Sequence, residues 1–266
     1  MRKFLMFALG AGIFISACTT VPVTGRKQLS LVSSGEMVAL GEQNYKETLG
    51  QSKLSTNKIQ TEQIKRVGLK IQKAVEKYMA DNGLASRLEG FNWEFNLIKN
   101  DTIVNAWCMP GGKVAFYTGI LPICKDDNGI AVVMGHEIAH AIANHGAERM
   151  SQAMALEMGG KLGAVLLGGK SQQTQQVFQT LYPIGAQVGV ILPYSRDNEL
   201  EADKMGLIFM AMAGYNPDTA IPFWQRMADM SKGGKNPQFL STHPAENTRI
   251  DKIRASLPEV MKYYKK

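Results

Sequence analysis

The sequence predicts an α+β fold, mainly helical, with one small, mainly antiparallel β-sheet, and three observations carry that prediction. Between Thr61 and Met79, the residues Ile64, Val67, Ile71 and Val75 recur at helical spacing. Between Phe91 and Thr118 the pattern shortens to β-rich runs broken by turn residues. From Asn128 a long apolar run returns to helix-compatible spacing. With 266 residues, 45% of them hydrophobic, the chain can bury one substantial core, and it contains no internal repeat.

The chain opens with MRKFLMFALGAGIFISAC, in which Arg2 and Lys3 precede an apolar core from Phe4 to Ile15. That pattern reads as an export signal over residues 1–17, too short for a comfortable membrane span. It closes on Ile-Ser-Ala-Cys, which resembles a bacterial lipobox with Cys18 as the lipidated first mature residue; the alternative is an ordinary cleaved signal with an incidental cysteine. Thr19 and Thr20 follow, where many enterobacterial lipoproteins retained at the inner membrane carry aspartate. The expectation is therefore a chain lipid-anchored at the outer membrane and facing the periplasm. Residues 18–34, with Pro22, Gly25 and several serines, read as a tether and irregular lead-in, and 35–266 as a single domain.

Ser33 or Ser34 caps a helix starting near Glu36, and the Thr61–Met79 helix follows. FNWEFNLIK, TIVNAW and KVAFYTG are the strand runs, with MPGGK as the turn between the last two. The run GIAVVMGHEIAHAIANHGAERMSQAM sets Val132, Ile138 and Ala139 among apolar neighbours of a helix. The stretch from Leu162 to Ser195 mixes apolar residues with Gly, Gln and Pro, and neither half makes a clean transmembrane helix. Further helices are expected from Asn198 to Ala213, ended by Gly214, from Pro217 to Met230, and from Ala245 to Leu257. Most of the fifteen methionines fall in these helices, where they pack cores.

The 30 basic residues become 28 without Arg2 and Lys3, against 23 acidic. This moderate excess includes no block of Lys and Arg interleaved with aromatics, so nucleic acid is not an expected partner. Lys262, Lys265 and Lys266 form a solvated tail. In an oxidising compartment Cys108 and Cys124 either pair or stay as two buried thiols.

The chemistry is concentrated in GHEIAH, Gly135 to His140. On a helix, His136 and His140 lie one turn apart on one face, where neutral imidazoles bind Zn²⁺ at about 2.0–2.1 Å. Glu137 lies beside that face, within reach of a metal-bound water. A catalytic zinc needs a third protein ligand and an open position. His145 is at hand, but an extended three-histidine motif needs glycine at 143 and histidine at 146, where this chain has Ala143 and Gly146. His145 is expected to make a structural polar contact at the helix end. Glu199 in NELEAD is the better third ligand; Asp203, one turn later, can accept a hydrogen bond from the outer nitrogen of His136 or His140, while Glu201 points elsewhere. Read alone, NELEAD is also an ordinary charged helix face. One Zn²⁺ per chain is the expected cofactor.

These segments resemble a known family, the zinc metallopeptidases that include the CAAX prenyl protease, HtpX, the mitochondrial OMA protease, BepA and LoiP. The resemblance rests on the GHEIAH helix, Glu199-Leu-Glu-Ala202-Asp203 after SRDN, Asn105-Ala106 with Pro110-Gly111-Gly112, and the opening PVTGRKQLSLVS. It covers most of the mature chain and is closest to the soluble, lipoprotein-like branch. It implies a zincin-like fold with the sheet beside the HExxH helix, and a gluzincin-type site with Glu199 as third ligand. It also implies an endopeptidase acting on misfolded or misassembled envelope proteins. Asn105 then binds substrate backbone or the developing oxyanion, or is a strand-edge asparagine. His243 in STHPAE then reaches the zinc site, as a donor to the tetrahedral intermediate or as a latch in the open metal position, or it anchors its loop. Arg196 in YSRDN pairs with a carboxylate near the site. Two other readings stand beside this one: a chaperone-like binding module whose proteolysis is latched or secondary, and an amidase of cell-wall peptides, which NELEAD fits less well.

Overall fold

Four of the long helices begin where the side chain of Ser33, Asn57, Asp126 or Ser195 takes an unpaired backbone N–H. In a computed structural model of the chain, which describes residues 18–158, 170–181, 194–234, 237–244 and 247–265, the Ser33 side chain accepts from Glu36 N to start α1 (Ser34–Gly50). Asn57 does the same for α2 (Lys58–Asp81), whose stripe Ile64, Val67, Ile71 and Val75 is fully buried. Gly68 on α2 lies against the Phe95 ring, where a Cβ would stand 2.3 Å from it, so the sheet rests directly on this helix.

That sheet is built from β3 (Glu94–Ile98), β4 (Ala106–Met109) and β5 (Lys113–Tyr117) in the order β3-β5-β4. The β4–β5 hairpin turns through Gly111 and Gly112, both at positive φ. Because the 99–105 loop carries the chain past one strand position, β5 returns between its neighbours and runs parallel to β3. The three-strand sheet is therefore mixed, with antiparallel pairings at β4–β5 and in a separate amino-terminal hairpin. Only the end of TIVNAW is strand, because the Asn100 side chain takes Thr102 N and Ile103 N, and Val104 O accepts from Phe239 N.

After a short helix α3 (Leu121–Cys124), Asp126 caps α4 (Asp127–Ile142) by accepting from Gly129 N. Every residue of α4 from Gly129 to Ile142 is buried. The long run expected here as one helix is two: Asn144, at φ 55, breaks it and starts α5 (His145–Met158). Asparagine tolerates that left-handed conformation, and the break turns His145 back beneath α4. The remaining helices are α6 (Lys170–Leu181), α7 (Arg196–Met212), α8 (Ala220–Lys232), α9 (Gln238–Thr242) and α10 (Asn247–Val260). Helices α4 and α7 cross at Gly135 and Gly206, backbone against backbone. The main core gathers α2, the sheet, α4, α7, α8 and α10; a smaller one joins Val32 and Met37 to Met150, Met154, Phe178 and Leu181.

The segment 18–34 differs from the irregular tether read in the sequence. It forms a hairpin of β1 (Cys18–Thr20) and β2 (Lys27–Leu29), closed by Val21 N donating to Arg26 O and Gly25 N to Val21 O. Val21 enters the main core, and the Gln28 side chain donates to Ala143 O at the end of α4. Cys108 and Cys124 are both free and buried. The expected signal 1–17 and the starting residue Ala245 of the last helix lie outside the described residues, as do 159–169 and 182–193. Among the described residues no helix is long and apolar enough to cross a membrane.

Candidate active site

Four side chains from three segments converge on one point. His136 and His140 come from α4, Glu199 from the first turn of α7, and His243 from the loop after α9. One ligand atom from each lies within 4.8 Å of all the others, and all four residues are buried. His136 Nε2 is 3.1 Å from both His140 Nε2 and His243 Nδ1. Glu199 Oε1 lies 2.9 Å from His243 Nδ1 and 3.4 Å from His140 Nε2, and Glu199 Oε2 lies 3.5 Å from His136 Nε2. A tetrahedral zinc with ligands at about 2.0–2.1 Å has edges of about 3.3 Å, so this donor set has the composition and size of a zinc site. Three imidazole nitrogens facing one another have too few protons to satisfy them all, which a shared cation resolves.

The surroundings orient these converging side chains. His136 Nδ1 lies 3.0 Å from Asp203 Oδ1, one turn beyond Glu199 on α7, as the sequence spacing implied. Burial lowers the His136 pKa, but Asp203 and Glu199 outweigh it and raise it to about 9. Burial drives His140 the other way, well below the usual histidine range. Burial also opposes the charged form of Glu199, yet His243, Arg249 and the two ligand histidines hold it well below the usual carboxylate range. Glu137 is raised by burial, against the pull of His243 and His136. Its Oε1 has no hydrogen bond among the described residues, and His243 Nε2 stands 3.4 Å from it.

Asn105 lies just before the edge strand β4, accepting from Ala106 N through Oδ1. Glu201 points away from the four converging side chains, toward His145 and the amino-terminal hairpin. His145 is a buried polar contact: its Nδ1 faces His140 Nδ1 at 2.9 Å. Arg196 is exposed at the start of α7.

The cation the sequence reading missed is Arg249 on α10. Its Nε and Nη2 donate to Asp203 at 2.6 and 2.7 Å, its Nη1 lies 2.7 Å from Glu199 Oε2, and its guanidinium sits 3.5 Å from the Trp224 ring centroid. A sequence signal existed, since Arg249 continues the buried stripe of Ile253, Leu257 and Val260, where an arginine must find anions. Tyr194, stacked on the His140 ring at 4.1 Å, was also missed, and no local pattern marks it.

Residues 66–257 match the family described as Peptidase family M48. The mitochondrial metalloendopeptidase OMA1 of Saccharomyces cerevisiae is 34% identical over 275 residues, covering 99% of this chain and 76% of its own length. Its Schizosaccharomyces pombe counterpart is 32% identical over 259 residues, covering 96% and 71%. The beta-barrel assembly-enhancing protease of Escherichia coli is 26% identical over 248 residues, covering 92% and 48%. Helical HExxH histidines, a glutamate from a second helix and a zinc-sized donor set coincide with this match over most of the chain, and the chain belongs to peptidase family M48, as a zinc metalloendopeptidase.

Proposed function

We propose that this enzyme is a lipid-anchored endopeptidase of the bacterial cell envelope that hydrolyses misfolded or misassembled envelope proteins. Its signal occupies residues 1–17, Cys18 carries the anchor, and 35–266 is the catalytic domain, held near the outer membrane and facing the periplasm. The name of the E. coli relative, which refers to β-barrel assembly, and the lipobox at Cys18 support the envelope part of this reading.

The observation that carries the chemistry is the buried Glu137 carboxylate, its Oε1 without a hydrogen bond among the described residues, beside the converging donor set. His136, His140 and Glu199 hold zinc, and Asp203 orients His136. Zinc, when bound, polarises the scissile carbonyl and lowers the pKa of its water. Glu137 takes the water's proton and passes it to the leaving amine. Asn105, at the start of an edge strand, holds substrate backbone or its developing oxyanion. His243 Nδ1 stands where a fourth ligand would, so it latches the resting site and must withdraw for substrate. That same latch favours, as second reading, a chaperone-like role with proteolysis switched off.

Zinc content and casein cleavage by the purified mature protein test this directly. Wild type should hold one zinc, Glu137→Gln should keep it and lose about 10²–10⁴-fold in rate, and Glu199→Ala should lose the metal. His243→Ala should cleave casein faster; unchanged zinc affinity and rate would remove the latch. A wild type that takes up no palmitate analogue would refute the anchor, and full rescue of cells by Glu137→Gln would favour the binding role.

A further inference from the structure

The two ligand histidines are oriented by different means. A histidine that binds metal through Nε2 carries its proton on Nδ1, and the group that accepts this proton sets its tautomer and tilt. For His136 that group is the carboxylate of Asp203. For His140 it is another imidazole, His145, whose Nδ1 lies 2.9 Å from His140 Nδ1. Two facing ring nitrogens share one proton. For His140 to donate, His145 must present a bare Nδ1, and its own proton must sit on Nε2. That Nε2 points at Glu201 Oε2, 2.9 Å away.

Glu201 is in turn held by the amino-terminal hairpin. The Thr24 hydroxyl donates to its Oε1 and Arg26 Nε donates to its Oε2 at 2.9 Å. The same guanidinium forks onto Glu148 on α5, with Nη1 and Nη2 each donating at 2.7 Å. Asn198, adjacent to Glu199, also donates to Glu148 Oε2, at 3.0 Å. His145, Glu148 and Glu201 are buried, so Arg26 is the counter-charge that keeps two carboxylates ionised out of water.

We propose that Arg26 is a positioning residue of the zinc site, acting through Glu201 and His145 to fix the tautomer of His140. It lies outside the stretch 66–257 that matches the family, in a hairpin that carries none of the metal ligands. Without Arg26, Glu201 loses the guanidinium N–H groups that fix its Oε2 against His145 Nε2, so the acceptor that orients His145 is no longer held in place. A proton on His145 Nδ1 would then face the donor of His140. The inference rests on His140 being a zinc ligand, as proposed above.

The test is zinc affinity of the mature full chain by competition with a chromophoric chelator, for wild type, Arg26→Gln, His145→Leu, the double variant and His140→Ala. Loss of an outer partner costs about 10–100-fold in metal affinity, and Arg26, two links out, should fall near tenfold. The double variant should bind no more weakly than His145→Leu alone, because both changes break one chain. If Arg26 only stabilised the fold, the two losses would multiply. That result, or an Arg26→Gln affinity within twofold of wild type, overturns the proposal. Should Arg26→Gln not fold, Thr24→Val, which removes one hydroxyl from Glu201, must weaken zinc binding in the same non-multiplying way. A His140→Ala variant that binds zinc normally would instead refute the ligand assignment.

Discussion

Replacing Gly206 by alanine asks whether the spacing of α4 and α7 sets the metal geometry. A Cβ at Gly206 would stand 2.7 Å from Gly135 C and His136 N, and 2.9 Å from Gly135 O. Ordinary contact begins near 3.4 Å, so the helices must part by about 0.7 Å, and the obstacles are backbone atoms that no rotamer change can clear. One helix carries His136 and His140, the other Glu199 and Asp203. Metal sites tolerate about ±0.2 Å in ligand distance, so a shift of this size takes the donors out of range together. Overpacking of this kind costs about 1–3 kcal/mol. If that strain falls on the zinc-bound state, the dissociation constant rises about 5- to 150-fold. Chelator competition reads this, and circular dichroism verifies that the helices persist. Gly35→Ala, in the exposed first turn of α1 with nothing within 4 Å of its Cβ, is the control and should stabilise the protein by up to about 1 kcal/mol. A Gly206→Ala protein that binds zinc within twofold of wild type would refute the argument.

Two further outcomes follow from buried groups outside the metal ligands. Burial opposes ionisation of Glu148, but hydrogen bonds from Arg26 and Asn198 outweigh it and lower its pKa. Its stabilising effect is therefore complete above the unfolded value near 4.3 and disappears as pH falls through the lower folded value. Denaturation of metal-free protein between about pH 5 and 3 should depend less steeply on pH in Glu148→Gln than in wild type; equal slopes would contradict the pairing. Cys108 and Cys124 are buried, and burial pushes both thiols up. Iodoacetamide followed by mass spectrometry should find neither modified in the native protein and both after unfolding. Modification of the native protein, or a linked Cys108–Cys124 peptide, would contradict this.

What the sequence could disclose was what lies within one helix or one turn. The spacing of His136 and His140, and of Glu199 and Asp203, projects each pair onto a single helical face, and the structure brings both faces together. The strands of the sheet were legible as runs, but their order was not. The parallel β3–β5 pairing comes from the path of the 99–105 loop, which leaves no periodic trace. Residues 18–34 looked irregular because Pro22 and Gly25 are turn residues, and a hairpin of three-residue strands is too short to alternate visibly. Arg249 and the Arg26–Glu201–His145 chain depend on partners far along the sequence, which no local pattern pairs.

The Arg26 contacts reach 122 residues ahead to Glu148 and 175 residues ahead to Glu201. A chain synthesised from its amino terminus presents this arginine well before either of its anions. Contacts of such separation form only after the intervening chain has arrived. The Arg26 cluster is thus assembled only once Glu201 has joined the chain, after His136 and His140 and together with Glu199. Long sequence separation orders assembly, tying closure of the amino-terminal hairpin to the arrival of the helix that also carries Glu199.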